Sequence, residues 1–272
     1  MMQFFGIIVT ILLFTVQIFG GYSPAFAASE TLAESTPVVQ DVENLLDKAF
    51  ETTTAGKFAQ AETYWTEIIK QYPDNAAMWS NRGNVRVSQN KLEEAISDYN
   101  KAIELAPELP DAYLNRGVAY ERLKRWLDAI ADYNFVLEQA PEDAVAFNNR
   151  GNAEAGLGDW KAAIIDYETA AELDPNYAFA RANYALALYQ DGQTEKALRT
   201  MKNLVRKYPN FADMRAALSA CLWEKGKQGE AESNWVAAVG LDKRYKDLEW
   251  VTQVRRWPPA VVNALDKFLN LQ

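Results

Sequence analysis

The fold is decided by residues 110–143, which read PDAYLNRGVAYERLKRWLDAIADYNFVLEQAPED. The next stretch, residues 144–177, reads AVAFNNRGNAEAGLGDWKAAIIDYETAAELDPNY and repeats the same residue types at the same places. Each stretch is 34 residues long, and self-similarity at a fixed period of this size is typical of chains that stack one structural unit. The period therefore predicts an array of similar units.

Four columns of residues recur with this period along the chain. Proline forms the first column, at Pro73, Pro107, Pro141, Pro175 and Pro209. Alanine forms the second column, at Ala61, Ala95, Ala129, Ala163, Ala197 and Ala231. Small residues form the third column, at Ala49, Gly83, Gly117, Gly151, Ala185 and Ser219. Large residues form the fourth column, at Trp65, Tyr99, Tyr133, Tyr167, Met201 and Trp235.

The spacing of these columns predicts a pair of antiparallel helices in each unit. Two helices approach closely only where side chains are small, and the small and alanine columns lie 12 residues apart, on opposite sides of a turn. Glycine permits a positive φ in that turn, and the sequence has it at Gly56, Gly158, Gly192 and Gly226. The proline column ends the second helix, because proline cannot continue a helix interior.

This pattern resembles that of the tetratricopeptide repeat (TPR) family. Unit two carries the signature as Trp79-x-x-Arg82-Gly83, Ala95-x-x-x-Tyr99 and Pro107, and unit three as Tyr113-x-x-x-Gly117-x-x-Tyr120, Ala129, Tyr133 and Pro141. The resemblance implies an all-α, right-handed α-solenoid of about six helix–turn–helix units at residues 42–245. The units begin near Val42, Ala76, Pro110, Ala144, Ala178 and Ala212. Residues 246–272 are expected to form C-terminal capping helices.

The N-terminal segment predicts delivery to or across a membrane. Residues 4–19 are almost wholly apolar and are followed by Pro24-Ala25-Phe26-Ala27-Ala28, which fits the small-x-small cleavage pattern of a signal peptide. Residues 1–27 are therefore a signal peptide or, since no Lys or Arg precedes the apolar run, an uncleaved N-terminal anchor. Residues 28–41 are rich in Ser, Thr, Glu and Ala and are predicted to form a flexible linker.

The expected location follows from the same segment and from the tail. Export places the body of the chain in a periplasm or a thylakoid lumen, and the alternative is an anchored protein. The tail at residues 255–259 reads RRWPP and is similar to tails of thylakoid-associated TPR proteins of cyanobacteria and chloroplasts. That similarity implies a role as an assembly factor for a membrane complex such as a photosystem.

Composition argues against an enzyme and against a nucleic-acid binder. The chain has 28 basic and 37 acidic side chains, a formal net charge of −9, and such a balance does not favour phosphate contacts. It contains no histidine, and its single cysteine, Cys221, lies within a predicted helix and is expected to be a small buried hydrophobe. We therefore predict no catalytic residues, no metal site and no cofactor.

An asparagine column marks the predicted binding surface. Asparagine is a mediocre helix former, yet it recurs with the same period at Asn81, Asn115, Asn149 and Asn183. In the family that this chain resembles, first helices line a concave groove, and similar ladders bind the backbone of an extended peptide. Neighbouring amides extend the predicted site, at Asn84, Asn148 and Asn152. The alternative is that these amides satisfy backbone groups between neighbouring units.

Two further patterns concern the same surface. The family also has grooves that bind a terminal carboxylate with Lys and Arg, but the matching lysine positions are not cationic here, so binding of a chaperone C-terminus is not expected. An apolar end of the groove is predicted from three aromatic residues, at Phe179, Tyr189 and Trp223. They are anchors for a partner or, alternatively, they pack against the C-terminal cap.

Arginine and aspartate recur together in units two to four. The arginines are Arg82, Arg116 and Arg150, and the aspartates are Asp98, Asp132 and Asp166. The aspartate is absent wherever the arginine is absent, which predicts a pair within each unit that fixes helix register.

The sequence thus predicts a protein–protein interaction scaffold that binds an extended peptide or a partner protein in a groove. The alternative is a membrane-associated structural adaptor that acts through its convex face or its C-terminal helix. Membrane association through either end stays open, because the last helix is amphipathic and has Arg255, Arg256 and Lys267 nearby.

Overall fold

The computed structural model describes residues 37–270. The predicted signal peptide or anchor at residues 1–27 lies outside the described residues, as do residues 28–36 of the predicted linker. Residues 37–41 are helical, so the linker boundary predicted at residue 41 is too late. Composition constrains such a boundary weakly, because an existing helix adds residues to its end at little cost. Among residues 37–270, none of the helices has the length and apolar character needed to cross a bilayer.

Twelve helices pair into the six predicted units. Units one to three comprise α1 (Pro37–Thr54) with α2 (Phe58–Gln71), α3 (Ala76–Ser88) with α4 (Leu92–Leu105), and α5 (Pro110–Arg122) with α6 (Trp126–Gln139). Units four to six comprise α7 (Ala144–Leu157) with α8 (Trp160–Leu173), α9 (Ala178–Gln190) with α10 (Thr194–Lys207), and α11 (Ala212–Glu224) with α12 (Gln228–Leu241). Helices that follow one another in sequence pack together, which confirms the predicted all-α solenoid.

The residues of the small column must be small because a large side chain of the second helix in the same unit lies against them. A Cβ atom added at Gly83 would lie 2.7 Å from Cε1 of Tyr99, and one added at Gly117 would lie 2.6 Å from Cε1 of Tyr133. Real Cβ atoms do not approach so closely, so the backbone of the first helix lies directly on the tyrosine of the second. The small and alanine columns also meet as predicted in unit six, where Ser219 Oγ donates to the carbonyl of Ala231 at 2.8 Å.

The turn between the paired helices has a left-handed residue in every unit. Four of these residues are the predicted glycines, and Gly158 has a φ of 85°. Units two and three use Asn90, with a φ of 63°, and Lys124, with a φ of 59°. The backbone geometry of the turn is therefore constant even where the glycine is missing.

The C-terminal region contains the two predicted helices. A single turn of 3-10 helix at Lys243–Lys246 leads to α13 (Leu248–Gln253), and α14 (Pro259–Asn270) ends the described chain. The last helix does not extend the stack as a further unit would. It packs against α11 and α9, which are first helices.

Candidate functional site

The first helices of the units form one surface, which we call the groove face (α3, α5, α7, α9 and α11). Successive first helices contact one another directly, as α3 contacts α5 and α5 contacts α7. The four asparagines of the predicted ladder lie one per helix on α3, α5, α7 and α9, and each is partly buried. The structure therefore aligns the ladder in register along four neighbouring helices.

The ladder is internally bonded at one end. Asn183 Nδ2 donates to Asn148 Oδ1 at 3.0 Å and to Asn152 Oδ1 at 3.3 Å, which joins units four and five. Asn148 is buried, and its Nδ2 donates to Asn149 Oδ1 at 3.3 Å. These amides satisfy one another between units, as the structural alternative proposes, although their partners are side chains and not the backbone groups that the sequence suggests.

Two of the neighbouring asparagines hold core tyrosines. Tyr99 donates its hydroxyl hydrogen to Asn84 Oδ1 at 2.7 Å, and Tyr167 donates to Asn152 Oδ1 at 2.9 Å. Each bond satisfies a phenol whose ring is buried against the small column. Asn84 and Asn152 thus have a structural role in their own units.

At the other end of the ladder the amides are available. The side chains of Asn81 and Asn115 make no hydrogen bond to another residue within 42–270, and both are partly exposed. Because each amide carries two donor hydrogens and an acceptor oxygen, this pair presents polar groups on adjacent first helices.

The far end of the groove face is covered by the chain itself. The return segment, residues 255–270, leaves α13 and passes back over α11 and α9. It is fixed at its start by Asp213, a buried residue of α11. Asp213 Oδ1 accepts from Arg255 Nε at 2.7 Å and from Trp257 Nε1 at 3.1 Å, and it also accepts the hydroxyl hydrogen of Tyr245 at 2.9 Å.

Helix α14 fills the groove face of units five and six with its apolar side. Four of its side chains are completely buried, at Val261, Ala264, Leu265 and Phe268. Gln190 Oε1 accepts from the backbone N–H of Ala260 at 2.7 Å, and Lys267 lies 2.5 Å from Glu224. The buried apolar side is consequently not available to a membrane, which removes the basis for the predicted surface association of this helix.

The return segment changes the interpretation of the predicted aromatic anchors. Trp223 packs edge-on against Phe268 of α14, with ring centroids 5.1 Å apart. Tyr189 is buried and donates to Glu224 Oε2 at 2.5 Å. Trp223 therefore packs at the C-terminal cap, as the alternative holds, and the hydrogen-bond partner of Tyr189 lies on α11. Phe179 is different, because 45% of it is exposed beside Phe211. The helical period predicts which face these residues occupy but not that the chain returns to cover it.

The return segment also reaches unit three. Arg256, which has a φ of 54°, places Nη1 3.7 Å from Oε2 of Glu121 on α5. Glu121 is buried and accepts the hydroxyl hydrogen of Tyr133 at 2.5 Å. Burial raises the pKa of Glu121 to about 7, although the Tyr133 hydrogen bond and Arg256 act in the opposite direction. Glu121 leaves no signal in the 34-residue period, because a glutamate occurs at this place in one unit only.

The predicted Arg–Asp pairs are confirmed and extend further than predicted. Arg116 donates from Nε and Nη2 to the two carboxylate oxygens of Asp132, at 2.9 and 2.6 Å. Its Nη1 donates to Asn100 of the preceding unit at 2.6 Å. Arg82 and Arg150 make the same contacts, with the aspartate of their own unit and with a side chain of the preceding unit. We call this set of contacts the Arg–Asp clasp. Each clasp joins the two helices of one unit to the unit before it.

The prediction for Cys221 is also confirmed. Its side chain is fully buried in the core of units five and six. Burial raises the pKa of the thiol well above its ordinary range. A buried thiol with a raised pKa does not act as a nucleophile.

This geometry defines a solenoid of helical hairpins. Protein-family models described as tetratricopeptide repeat match residues 114–178 and 154–232, and a family model described as TPR repeat matches residues 83–124. The chain belongs to the tetratricopeptide repeat family. None of the matching models describes an enzyme. A comparison with curated protein sequences gave no significant match.

Several solved structures share the fold. A tetratricopeptide repeat protein from Parabacteroides merdae is 21% identical over 86% of this chain and 100% of its own, with a TM-score of 0.63. YrrB, described as a TPR protein with an unusual peptide-binding site, is 23% identical over 71% of this chain and 97% of its own, with a TM-score of 0.53. MamA from Desulfovibrio magneticus is 17% identical over 61% of this chain and 93% of its own, with a TM-score of 0.57. These similarities describe the fold.

The clasp predicts a large difference between a single and a double substitution. Arg116→Leu leaves the buried Asp132 carboxylate without its partner, and we expect the free energy of unfolding to fall by about 3–5 kcal/mol. Arg116→Leu/Asp132→Leu removes both charges and is expected to recover most of that loss. Urea unfolding of the two variants measures the difference, and equal stabilities would contradict the assignment. Partner binding is expected to survive in both variants, because the clasp is structural.

Glu121 predicts a loss of stability as the pH rises. The folded chain binds the Glu121 proton more tightly than the unfolded chain, since the folded pKa is about 7 and the ordinary value is 4.5. This contribution is complete below pH 4.5 and is lost as the pH rises through 7. Glu121→Gln mimics the protonated form, so at alkaline pH its free energy of unfolding should exceed that of the natural protein by about 3 kcal/mol.

Urea unfolding between about pH 5 and pH 8 tests this expectation. Glu154→Gln is a second test, because burial also raises the pKa of Glu154 to about 7 and the effects of the two substitutions should add. A pH profile that Glu121→Gln leaves unchanged would show that the Glu121 proton is not coupled to folding.

Proposed function

We propose that the protein is an interaction scaffold that binds an extended segment of a partner protein along the open part of the groove face. The observation that carries this proposal is the pair of available amides, Asn81 and Asn115, in register on adjacent first helices. A solenoid offers a long binding surface and requires no catalytic groups. The peptide-binding site named for YrrB supports the same class of partner.

The return segment sets the length of the bound segment. It covers the groove face of units five and six and touches unit three only through the Arg256–Glu121 contact, so the open part belongs mainly to units two to four. Neighbouring helices pack roughly 8–10 Å apart, and an extended peptide rises about 3.3 Å per residue. Each unit therefore accommodates about three residues, and the open part accommodates roughly nine.

Amide contacts to a peptide backbone favour binding with little side-chain selectivity. The donors and the acceptor of an asparagine match the carbonyl and N–H groups of an extended chain. Phe179, exposed on α9 beside the covered region, is placed to contact an apolar side chain at the end of such a segment.

A peptide display selection followed by affinity measurement tests the proposal. Peptides selected on the natural protein should bind the Asn81→Ala/Asn115→Ala variant at least ten-fold more weakly, because two hydrogen bonds contribute about 1 kcal/mol each. The matched control is Asn210→Ala, which removes an exposed amide from the turn between α10 and α11. Equal affinities for the natural protein and the double variant, with helicity unchanged, would rule out the ladder.

We further propose that the scaffold works in an exported compartment, a periplasm or a thylakoid lumen, and serves the assembly of a membrane complex such as a photosystem. Only the apolar run at residues 4–19, the small residues that follow it and the RRWPP tail support this. Cell fractionation with an antibody against the folded domain measures the location. A lumenal or periplasmic pool of cleaved chain is expected; an anchored chain resists carbonate extraction, and a cytoplasmic pool would refute export.

A further inference from the structure

The contacts between neighbouring units change along the solenoid. From unit one to unit five, a side chain of each first helix bonds to a side chain of the preceding second helix. The pairs are Arg82 with Thr66, Arg116 with Asn100, Arg150 with Asn134, and Tyr184 with Glu168. Between units five and six the two positions hold Leu218 and Lys202, which do not bond.

The missing contact leaves a cleft on the outer side of units five and six. The cleft has a volume of about 340 Å³. Leu218, which is 2% exposed, forms part of its apolar floor. The polar residues that line it are Lys202, Arg206, Arg215, Glu230 and Asn234. Its position follows from a break in the repeat, because Leu218 and Asn234 occupy the places of arginine and aspartate in the clasps.

Cations predominate around this cleft. Lys202 lies 2.5 Å from Glu230, the one carboxylate in the lining. Arg215 donates to Asn234 Oδ1 at 3.2 Å and to the carbonyl of Pro209 at 2.6 Å. Arg206 is exposed and bonds only to Asn203 of its own helix among the described residues. Three cations therefore face one carboxylate.

Basic side chains also outnumber acidic ones over the whole C-terminal part of the chain. Residues 194–272 contain 14 of the 28 basic side chains but only nine of the 37 acidic ones. The excess of acidic side chains therefore lies in residues 1–193. An acidic partner would be repelled by units one to four and attracted to the outer side of units five and six.

We infer that this cleft binds an acidic segment of a partner protein. A Glu or Asp carboxylate of the partner enters between Lys202, Arg206 and Arg215, and an adjacent apolar side chain rests on Leu218. The apolar floor at Leu218 and the small number of cations favour a peptide over a lipid surface or a nucleic acid, which would need a longer basic surface. This site is separate from the groove face.

The direct test uses a fluorescein-labelled peptide of alternating Glu and Leu residues, with a Gln–Leu peptide for comparison. Leu218→Arg/Asn234→Asp rebuilds the missing clasp inside the cleft and leaves the net charge unchanged. We expect this variant to bind the Glu–Leu peptide at least about ten-fold more weakly than the natural protein, because the cleft is filled. Binding at natural affinity by the folded variant would overturn the proposal.

A second variant covers the case in which the rebuilt clasp impairs folding. Arg206→Glu reverses an exposed charge at the cleft and should also weaken binding about ten-fold. Its matched control, Lys161→Glu, makes the same charge change at an exposed position of α8 and should leave affinity unchanged. An equal loss in both variants would mean diffuse electrostatic attraction and would overturn the site.

Two further measurements separate the cleft from other surfaces. Asn81→Ala/Asn115→Ala should bind the Glu–Leu peptide as the natural protein does, so failure of the groove proposal does not affect this result. A loss of affinity in that variant would place the peptide on the groove face and overturn the inference. Stronger binding to phosphatidylglycerol–phosphatidylcholine vesicles than to the peptide would overturn the choice of a protein partner.

Discussion

The structure depends on the contact between the backbone of each first helix and a large side chain of the second. Where that side chain is a tyrosine ring, as in units two to four, the residue beneath it is glycine. Where it is tryptophan or methionine, alanine or serine is tolerated. Since this contact sets the distance between the paired helices, the units share one spacing and their first helices line up. The groove face, the asparagine ladder and the Arg–Asp clasps all rely on that alignment.

Two departures from the repeat then give the solenoid its specific surfaces. The return segment covers the groove face of units five and six and reaches Glu121 of unit three through Arg256, while Asn81 and Asn115 stay partly exposed. The loss of the side-chain bond between units five and six, at Leu218 and Lys202, opens a cleft on the other side. Both departures lie at units five and six, where the return segment covers the groove face and the cleft opens on the outer side. Neither feature could be seen in a single repeat unit.

Much of the fold was predictable from the sequence, because a packing constraint that recurs every 34 residues leaves a recurring residue. The helix pairs, the left-handed turns and the Arg82–Asp98 type of pair all follow from such columns. The packing of Trp223 against the C-terminal cap was one of two alternatives that the sequence left open, and the periodic columns could not decide between them. This packing depends on single contacts such as Trp257 with Asp213, which are 44 residues apart and have no counterpart in other units. The ladder was only partly predictable, since spacing places the asparagines on one face but does not reveal which amides bond to one another.

The return segment has a thermodynamic consequence for the domain. In a simple solenoid each unit contacts only its neighbours, so stability is a sum of local terms and the ends fray independently. Here Arg256 contacts unit three and Ala260 contacts unit five, although both follow unit six in the chain. These contacts close a loop across several units and couple their unfolding. We therefore expect units three to six to unfold more cooperatively than units one and two, which the return segment does not reach.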